Sequence, residues 1–239
     1  MIPLRDNIRT RSFPWANGLI LLANILVFLF EISLSSAGLN RLVLRFGLIP
    51  ARVHWLDPNT WEPILTSMFL HGGWLHLIGN MWALFIFGDN IEDRLGHFRY
   101  ILFYLLSGLA AAALAIAVTP ASTVPIIGAS GAIAGVLGAY FILYPGGKVL
   151  TLIPVFFLPW IVDLPAVIFL GFWFLLQFLS GVTSLQAAGQ AAGVAWWAHV
   201  GGFLSGMALL FLLGGTARRG VPHPSPIEVV YHPGQDNDR

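Results

Sequence analysis

The fold class this sequence predicts is an all-α, polytopic membrane protein: six transmembrane helices, with a long interfacial loop between the first and second. Three observations carry the prediction. The chain of 239 residues is 57% hydrophobic and only 10% charged, less than half the charged share of an ordinary soluble domain. Its mean hydropathy is +0.79. Apolar runs of roughly 20 residues, long enough to cross the hydrocarbon layer as helix, recur along it.

Residues 1–16 form a basic N-terminal segment carrying Arg5, Arg9 and Arg11. The spans then fall near 17–36, 74–92, 99–118, 129–145, 164–182 and 194–214. A basic stretch ahead of an apolar run, with the small residues of "SLSSAG" behind it, has the outline of a signal peptide. With five spans still to come, it reads as a retained helix. The connection 37–73 holds "LNRLVLRFGLIPARVHWL", too apolar for a solvated loop and too charged to span, so an amphipathic piece in the interface is expected. In "IPVFFLPWIVDLPA" the residues Pro154, Pro159 and Pro165 forbid a continuous helix, so one element ends there and the fifth span begins. Residues 215–239, with Pro222, Pro224, Pro226 and Pro233, read as a disordered tail in which His223 and His232 have no chemical role.

Positive charge sets orientation. A cytoplasmic N-terminus gives the inside Arg5, Arg9, Arg11, Arg94, Arg99, Lys148, Arg218 and Arg219, and the outside only Arg41, Arg45 and Arg52. Both termini are therefore expected in the cytoplasm, with the chain in the cell (inner) membrane. The net charge of +1 and the lack of a Lys/Arg cluster argue against a nucleic-acid partner. Cysteine is absent, which excludes disulfides, thiolate metal sites and a cysteine nucleophile.

Few side chains in the spans can do acid–base chemistry. They lie in "HGGWLHLIGNM" (71–81), "GASG" (128–131) and "WWAHVGGFLSG" (196–206). Spans 2, 4 and 6 run in the same direction, and His76, Asn80, Ser130 and His199 all enter within their first two turns. At 1.5 Å rise per residue they share one layer in the outer leaflet. His76 and Asn80, four apart, point from one helix face. Gly131/Gly135 and Gly202/Gly206 repeat at the spacing that lets helix backbones approach, which brings span 4 against span 6. Each feature alone has a plainer reading. A serine after glycine at a helix start is usually an N-cap, an intramembrane His or Asn can simply bond across helices, and small-residue spacing is usually packing. Their coincidence at one depth is what those readings explain poorly.

Taken in order, the set resembles the rhomboid intramembrane serine proteases. "HGGWLHLIGN" is similar to that family's His-x4-His-x3-Asn, "GASG" to its Gly-x-Ser-Gly, and "AHVGGFLSG" to its Ala-His-x2-Gly-x3-Gly; "EDRLG", Glu92 to Gly96, resembles its acidic-x3-Gly segment. The resemblance covers about 17–214 and implies a rhomboid-like six-helix membrane domain there. It implies Ser130 as nucleophile, His199 as general base, and an oxyanion hole of His76, Asn80 and the Ser130 N–H. His71, Gly128, Gly131, Gly202 and Gly206 take supporting roles. Implied partners are transmembrane protein substrates and the lipid bilayer, with no cofactor or metal. Two positions depart from the pattern. Trp61-Glu62 stands where members often carry Trp-Arg, and Ala134 stands where some carry an aromatic against the catalytic imidazole.

The chemistry is consistent on its own terms. Peptide hydrolysis needs a nucleophile, a proton acceptor, and donors where negative charge develops. Lys148, the only lysine, belongs to the opposite face, and Asp163, read as lying on the outer side, is too far along the chain to enlist. Water must reach the layer to hydrolyse an acyl-enzyme. The interfacial loop and the proline-broken approach to span 5 are the expected gates. Two rivals remain: a rhomboid-like client-binding protein without proteolysis, and a metal-binding protein using His71, His76 and His199. The sequence leaves the oligomeric state open.

Overall fold

The computed structural model describes residues 1–155, 158–186 and 196–214. Six long helices form the body: α1 (Trp15–Ser33), α4 (Trp74–Leu95), α5 (His97–Val118), α6 (Ser130–Leu143), α7 (Ala166–Gln186) and α8 (Trp196–Leu212). Their starts and ends fall within about four residues of the six expected spans, inside the usual uncertainty of helix boundaries read from sequence. Three of them, α1, α5 and α7, are long and apolar enough to cross a membrane. The 22 residues of α4 carry Asp89, Glu92, Asp93 and Arg94 in its second half, and α6 and α8 are shorter. The expected tail 215–239 lies outside the described residues, as do residues 194 and 195 of the sixth expected span.

Helix α6 is the axis of the bundle. Every residue from Gly131 to Tyr140 is buried, and α4, α5, α7 and α8 all pack on it. Its 14 residues span only about 21 Å at 1.5 Å per residue, so an end of α6 lies inside the bundle rather than at its rim. The closest approach is to α8. A Cβ on Gly202 would strike the Gly131 carbonyl oxygen, and one on Gly206 the Gly135 carbonyl oxygen. These are backbone atoms that cannot swing aside, so no larger residue fits.

Buried polar groups tie the other helices to this axis. The Glu92 carboxylate, fully buried, accepts from the backbone N–H groups of Ala16 (3.0 Å) and Asn17 (2.7 Å). Those donors belong to the first turn of α1, which has no preceding turn to satisfy them and carries the positive end of the helix dipole. Asn17 then bonds the Leu84 carbonyl and the Tyr100 hydroxyl, joining α1, α4 and α5.

The chain is mostly helical, as expected, with one addition that the all-α reading did not contain: β1 (Ile2–Asp6), β2 (Lys148–Val155) and β3 (Leu158–Pro165) form an antiparallel sheet in the order β1-β2-β3. The prolines do forbid a helix there, but "KVLTLIPV" and "LPWIVDLP" are rich in β-branched and aromatic residues, which fit a pleated surface. Residues 2–6, read from sequence as part of a plain N-terminal segment, pair with the hairpin. Asp6 fixes them by accepting from Tyr140 Oη (2.6 Å) and Asn90 Nδ2 (2.8 Å).

The connection between α1 and α4 contains α2 (Ser36–Phe46), which buries no residue, and the short α3 (Glu62–Thr66). Where Trp-Arg was expected, Glu62 pairs instead with Arg45 of α2. Both side chains are largely exposed, so the pair contributes at most about 1 kcal/mol. The stronger anchor is apolar. Leu48 and Ile64 bury against Ala112 and Ile116 of α5, and Leu48 and Ile126 exchange backbone hydrogen bonds of 3.0 and 2.7 Å.

Gly206→Val should destabilise the fold by at least about 1–3 kcal/mol through overpacking, lowering the thermal unfolding midpoint by several degrees. Gly79→Ala, whose Cβ would meet nothing within 4 Å, should leave the midpoint unchanged or raise it.

Candidate active site

The first turns of α4, α6 and α8 lie at one end of the bundle, together with the loop that precedes α4. Ser130 opens α6, but its hydroxyl does not cap the helix: Ala129 holds the N-cap position with no side-chain bond. Ser130 Oγ instead lies 2.8 Å from His199 Nε2 on α8. On the other side of the ring, His199 Nδ1 lies 2.7 Å from Gln177 Oε1 on α7. An amide oxygen carries no proton, so Nδ1–H donates to it and Nε2 is left as the acceptor facing the serine hydroxyl.

His76 and Asn80 converge on the loop before Ser130. A Cβ at Gly128 would lie 2.6 Å from His76 Nε2 and 3.5 Å from Asn80 Nδ2. Gly128 has φ +126, a conformation costly for any other residue, and its N–H donates to the Ser67 carbonyl at 2.9 Å. The Gly72 N–H donates to His76 Nδ1 at 3.3 Å, so the His76 proton sits on Nε2 and faces this loop. Asn80 Nδ2 is buried and has no partner. An unpaired buried amide costs roughly 1–3 kcal/mol, an expense a packed helix normally avoids. The first-turn N–H groups of α6, Ser130 among them, have no earlier helical turn to satisfy them. His76 Nε2 and Asn80 Nδ2 thus face the loop that leads into Ser130, whose hydroxyl meets an imidazole.

His71 is buried under this arrangement, its ring edge-on to His76 at 5.1 Å. Its backbone N–H donates to both Glu31 carboxylate oxygens at 3.1 Å, and its Nδ1 donates to the Phe69 carbonyl at 3.2 Å. Burial, reinforced by neighbouring His76, holds the His71 imidazole down at about 4. Among the described residues no group of three or more His, Asp or Glu side chains is placed to hold a metal ion. Of the rings that a metal reading would recruit, His71 and His76 each use Nδ1, toward Phe69 and Gly72, while His199 uses both nitrogens, toward Ser130 and Gln177.

Two expectations about the surroundings are corrected. Asp163 does not lie on the side of the serine. It pairs in register with Leu150, in the sheet next to Lys148 and the N-terminal strand, beyond the far end of α6. The proline-broken approach to α7 is the same hairpin, so it cannot gate this site. Of the two expected gates, only the loop between α1 and α4 lies at the right end.

A family model for the Rhomboid domain matches residues 58–216. The chain belongs to the rhomboid family. Rhomboids are polytopic, and with its long apolar helices this one is a multi-pass membrane protein. It is similar to RHOMBOID-like protein 6, mitochondrial, of Arabidopsis thaliana, with 28% identity over 85% of this chain and 70% of that relative. The putative rhomboid protease YdcA of Bacillus subtilis (strain 168) is 30% identical over 58% of this chain and 67% of its own length. Rhomboid protease GluP of the same bacterium is 35% identical over 50% of this chain and 22% of its own.

Gln177 and Glu31 are absent from the set expected from the motifs, although both gave a signal. Each is a lone polar residue inside an apolar run, "FLLQFL" and "FLFEIS", and such residues in membrane helices face a partner. Ala134 removes the aromatic some rhomboids place against the imidazole. In this rhomboid Trp173 of α7 lies against His199 with ring centroids 5.9 Å apart, and Trp196 stands edge-on at 6.2 Å.

The depressed His71 value has a signed consequence. Between its ordinary 6.5 and about 4, the unfolded chain binds a proton that the folded chain refuses, so stability falls as pH drops through that window. The thermal midpoint of the wild type should fall more steeply between pH 6.5 and 4 than that of His71→Gln.

Proposed function

We propose that this rhomboid is an intramembrane serine endopeptidase that hydrolyses peptide bonds in or near transmembrane segments of other membrane proteins. The observation that carries the reading is the 2.8 Å contact of Ser130 Oγ with His199 Nε2, set beside the unpartnered Asn80 Nδ2. Family membership and the two Bacillus relatives named as rhomboid proteases support it. A client-binding role without proteolysis would require neither the contact nor the donors.

In this mechanism His199 Nε2 takes the Ser130 proton as Oγ attacks the scissile carbonyl carbon. The carbonyl oxygen becomes an oxyanion, met by His76 Nε2–H, Asn80 Nδ2 and the Ser130 N–H, with the N-terminal end of the α6 dipole behind them. His199 then delivers its proton to the leaving amine, which leaves an ester on Ser130. Water, deprotonated by His199, adds to that ester; the bond between the acyl carbon and Ser130 Oγ then breaks, His199 returns the proton to Oγ, and the second product leaves as a carboxylic acid. A substrate helix has its carbonyls hydrogen-bonded along its own axis, so it must unwind locally before this geometry can engage it.

Orientation follows the positive-inside rule. The N-terminal strand and the sheet, with Arg5, Arg9 and Lys148, face the cytoplasm, and the Ser130 layer opens to the opposite side. The membrane domain on this reading covers residues 17–214, between the N-terminal segment 1–16 and a cytoplasmic tail 215–239.

Purified Ser130→Ala and His199→Ala should show no measurable cleavage of a transmembrane substrate. Asn80→Ala should lose on the order of 10²–10³-fold in kcat, as removal of one oxyanion donor does. A serine-directed fluorophosphonate should label the wild type but not Ser130→Ala. Full activity of Ser130→Ala would overturn the proposal.

A further inference from the structure

We infer that Gln177 is the positioning residue of His199, so that the reacting pair is oriented by a neutral third member from a third helix. The inference rests on the serine-protease reading above. On α7, Leu175, Leu176, Phe178 and Leu179 are all 41–50% exposed, whereas Gln177 between them is 9% exposed. Its amide turns inward while its neighbours face outward. A polar side chain in a membrane helix turns to a protein partner or a wet cavity, and the partner here is the ring nitrogen opposite the serine.

The bond selects one of two tautomers. With Nδ1–H donating to Oε1, the Nε2 lone pair faces Ser130 Oγ, as a general base requires. With the proton on Nε2, the Nδ1 lone pair would face the amide oxygen lone pairs and the imidazole would have nothing with which to accept the serine proton. Trp173, four residues before Gln177 and so on the same face of α7, lies against the same ring. Helix α7 therefore supplies both the polar and the aromatic restraint at the site where Ala134 provides none. A carboxylate would also stabilise the imidazolium, but it would bring an ionic charge into an apolar helix face. The amide fixes the tautomer without one. Since α7 is the least buried of the three long apolar helices, the orientation of the base depends on α7 staying seated against α8.

The test compares Gln177→Leu and Gln177→Glu with the wild type, using full-length protein in proteoliposomes and a transmembrane substrate. Gln177→Leu removes the acceptor at similar volume. It should lower kcat on the order of 10- to 100-fold with little change in KM, less than the ~10⁴ lost when an anionic orienter is neutralised. Histidine ¹⁵N NMR should show the Nδ1–H form of His199 in the wild type and a mixture in Gln177→Leu. Gln177→Glu, ionised in the pH range where the enzyme works, can only accept, so it should restore kcat relative to the leucine variant and move the acid limb of the kcat/KM profile to higher pH, because the added charge favours the protonated imidazole. A purely structural glutamine would give neither the tautomer mixture nor the displaced limb. Wild-type kcat and tautomer in Gln177→Leu would overturn the inference, as would an undisplaced limb in Gln177→Glu should the leucine variant not fold. Ser130→Ala assayed alongside separates the two readings. If it is inactive while Gln177→Leu is fully active, only the role of Gln177 falls; if it is active, the protease reading falls and takes this inference with it.

Discussion

The backbone-to-backbone approach of α6 and α8 is the constraint on which the site depends. Where Gly202 faces the Gly131 carbonyl and Gly206 the Gly135 carbonyl, the helices come closer than side chains would permit. Only at that separation can a side chain as short as serine reach an imidazole on the next helix at 2.8 Å. Hydrophobic burial does not drive such an approach within a membrane, where lipid is as apolar as leucine; close packing and polar contacts do. The glycines supply the first and the His199 bonds the second.

The shortness of α6 adds depth to that proximity. A helix of 14 residues, buried from Gly131 to Tyr140, is too short to run from rim to rim, and on the proposed reading it is the first turn, with its free N–H groups, that lies within the bundle. There the helix-end dipole and the unpaired Asn80 amide act in a medium that screens them weakly. Placed a few residues nearer the rim, the same groups would be hydrated and of little value to an oxyanion. Glu92, capping α1 from α4, and Asp6, held by Tyr140 and Asn90, fix the opposite end of the bundle. Among the described residues Glu31 is the buried acidic residue at the site end, and Glu92 the one at the opposite end.

The positions of the six long helices and the shared depth of the polar residues were legible because both rest on local patterns. Apolar run length marks a span, and the distance of His76, Asn80, Ser130 and His199 from their helix starts marks a depth. The sheet was not legible, because prolines spaced through an apolar segment exclude a helix without stating what replaces it, and the partner strand lies some 140 residues away at the N-terminus. Asp163 was misplaced for the same reason, since its position follows from that pairing. Gln177 escaped because its importance is a matter of rotation. Nothing in "FLLQFL" says which way the amide points, and only the packing of α7 on α8 aims it at His199.

The partners assembled around His199 have a common property that follows from their location. Serine, glutamine, asparagine and the second imidazole are all neutral groups, and the hydrogen bonds that assign their protons (Gly72 N–H to His76 Nδ1, His199 Nδ1–H to Gln177 Oε1) are dipole contacts rather than ion pairs. A soluble hydrolase can afford a buried aspartate behind its histidine because water and polar backbone surround it. The helix faces here are largely apolar, and an isolated charge among them costs several kcal/mol even after relaxation. The one nearby carboxylate, Glu31, is kept off the reacting groups and meets two hydrogen bonds from a backbone N–H of the loop below them. On the serine-protease reading proposed above, charge would develop at this site only during the reaction, on the oxyanion and the imidazolium together, where the two would stabilise each other.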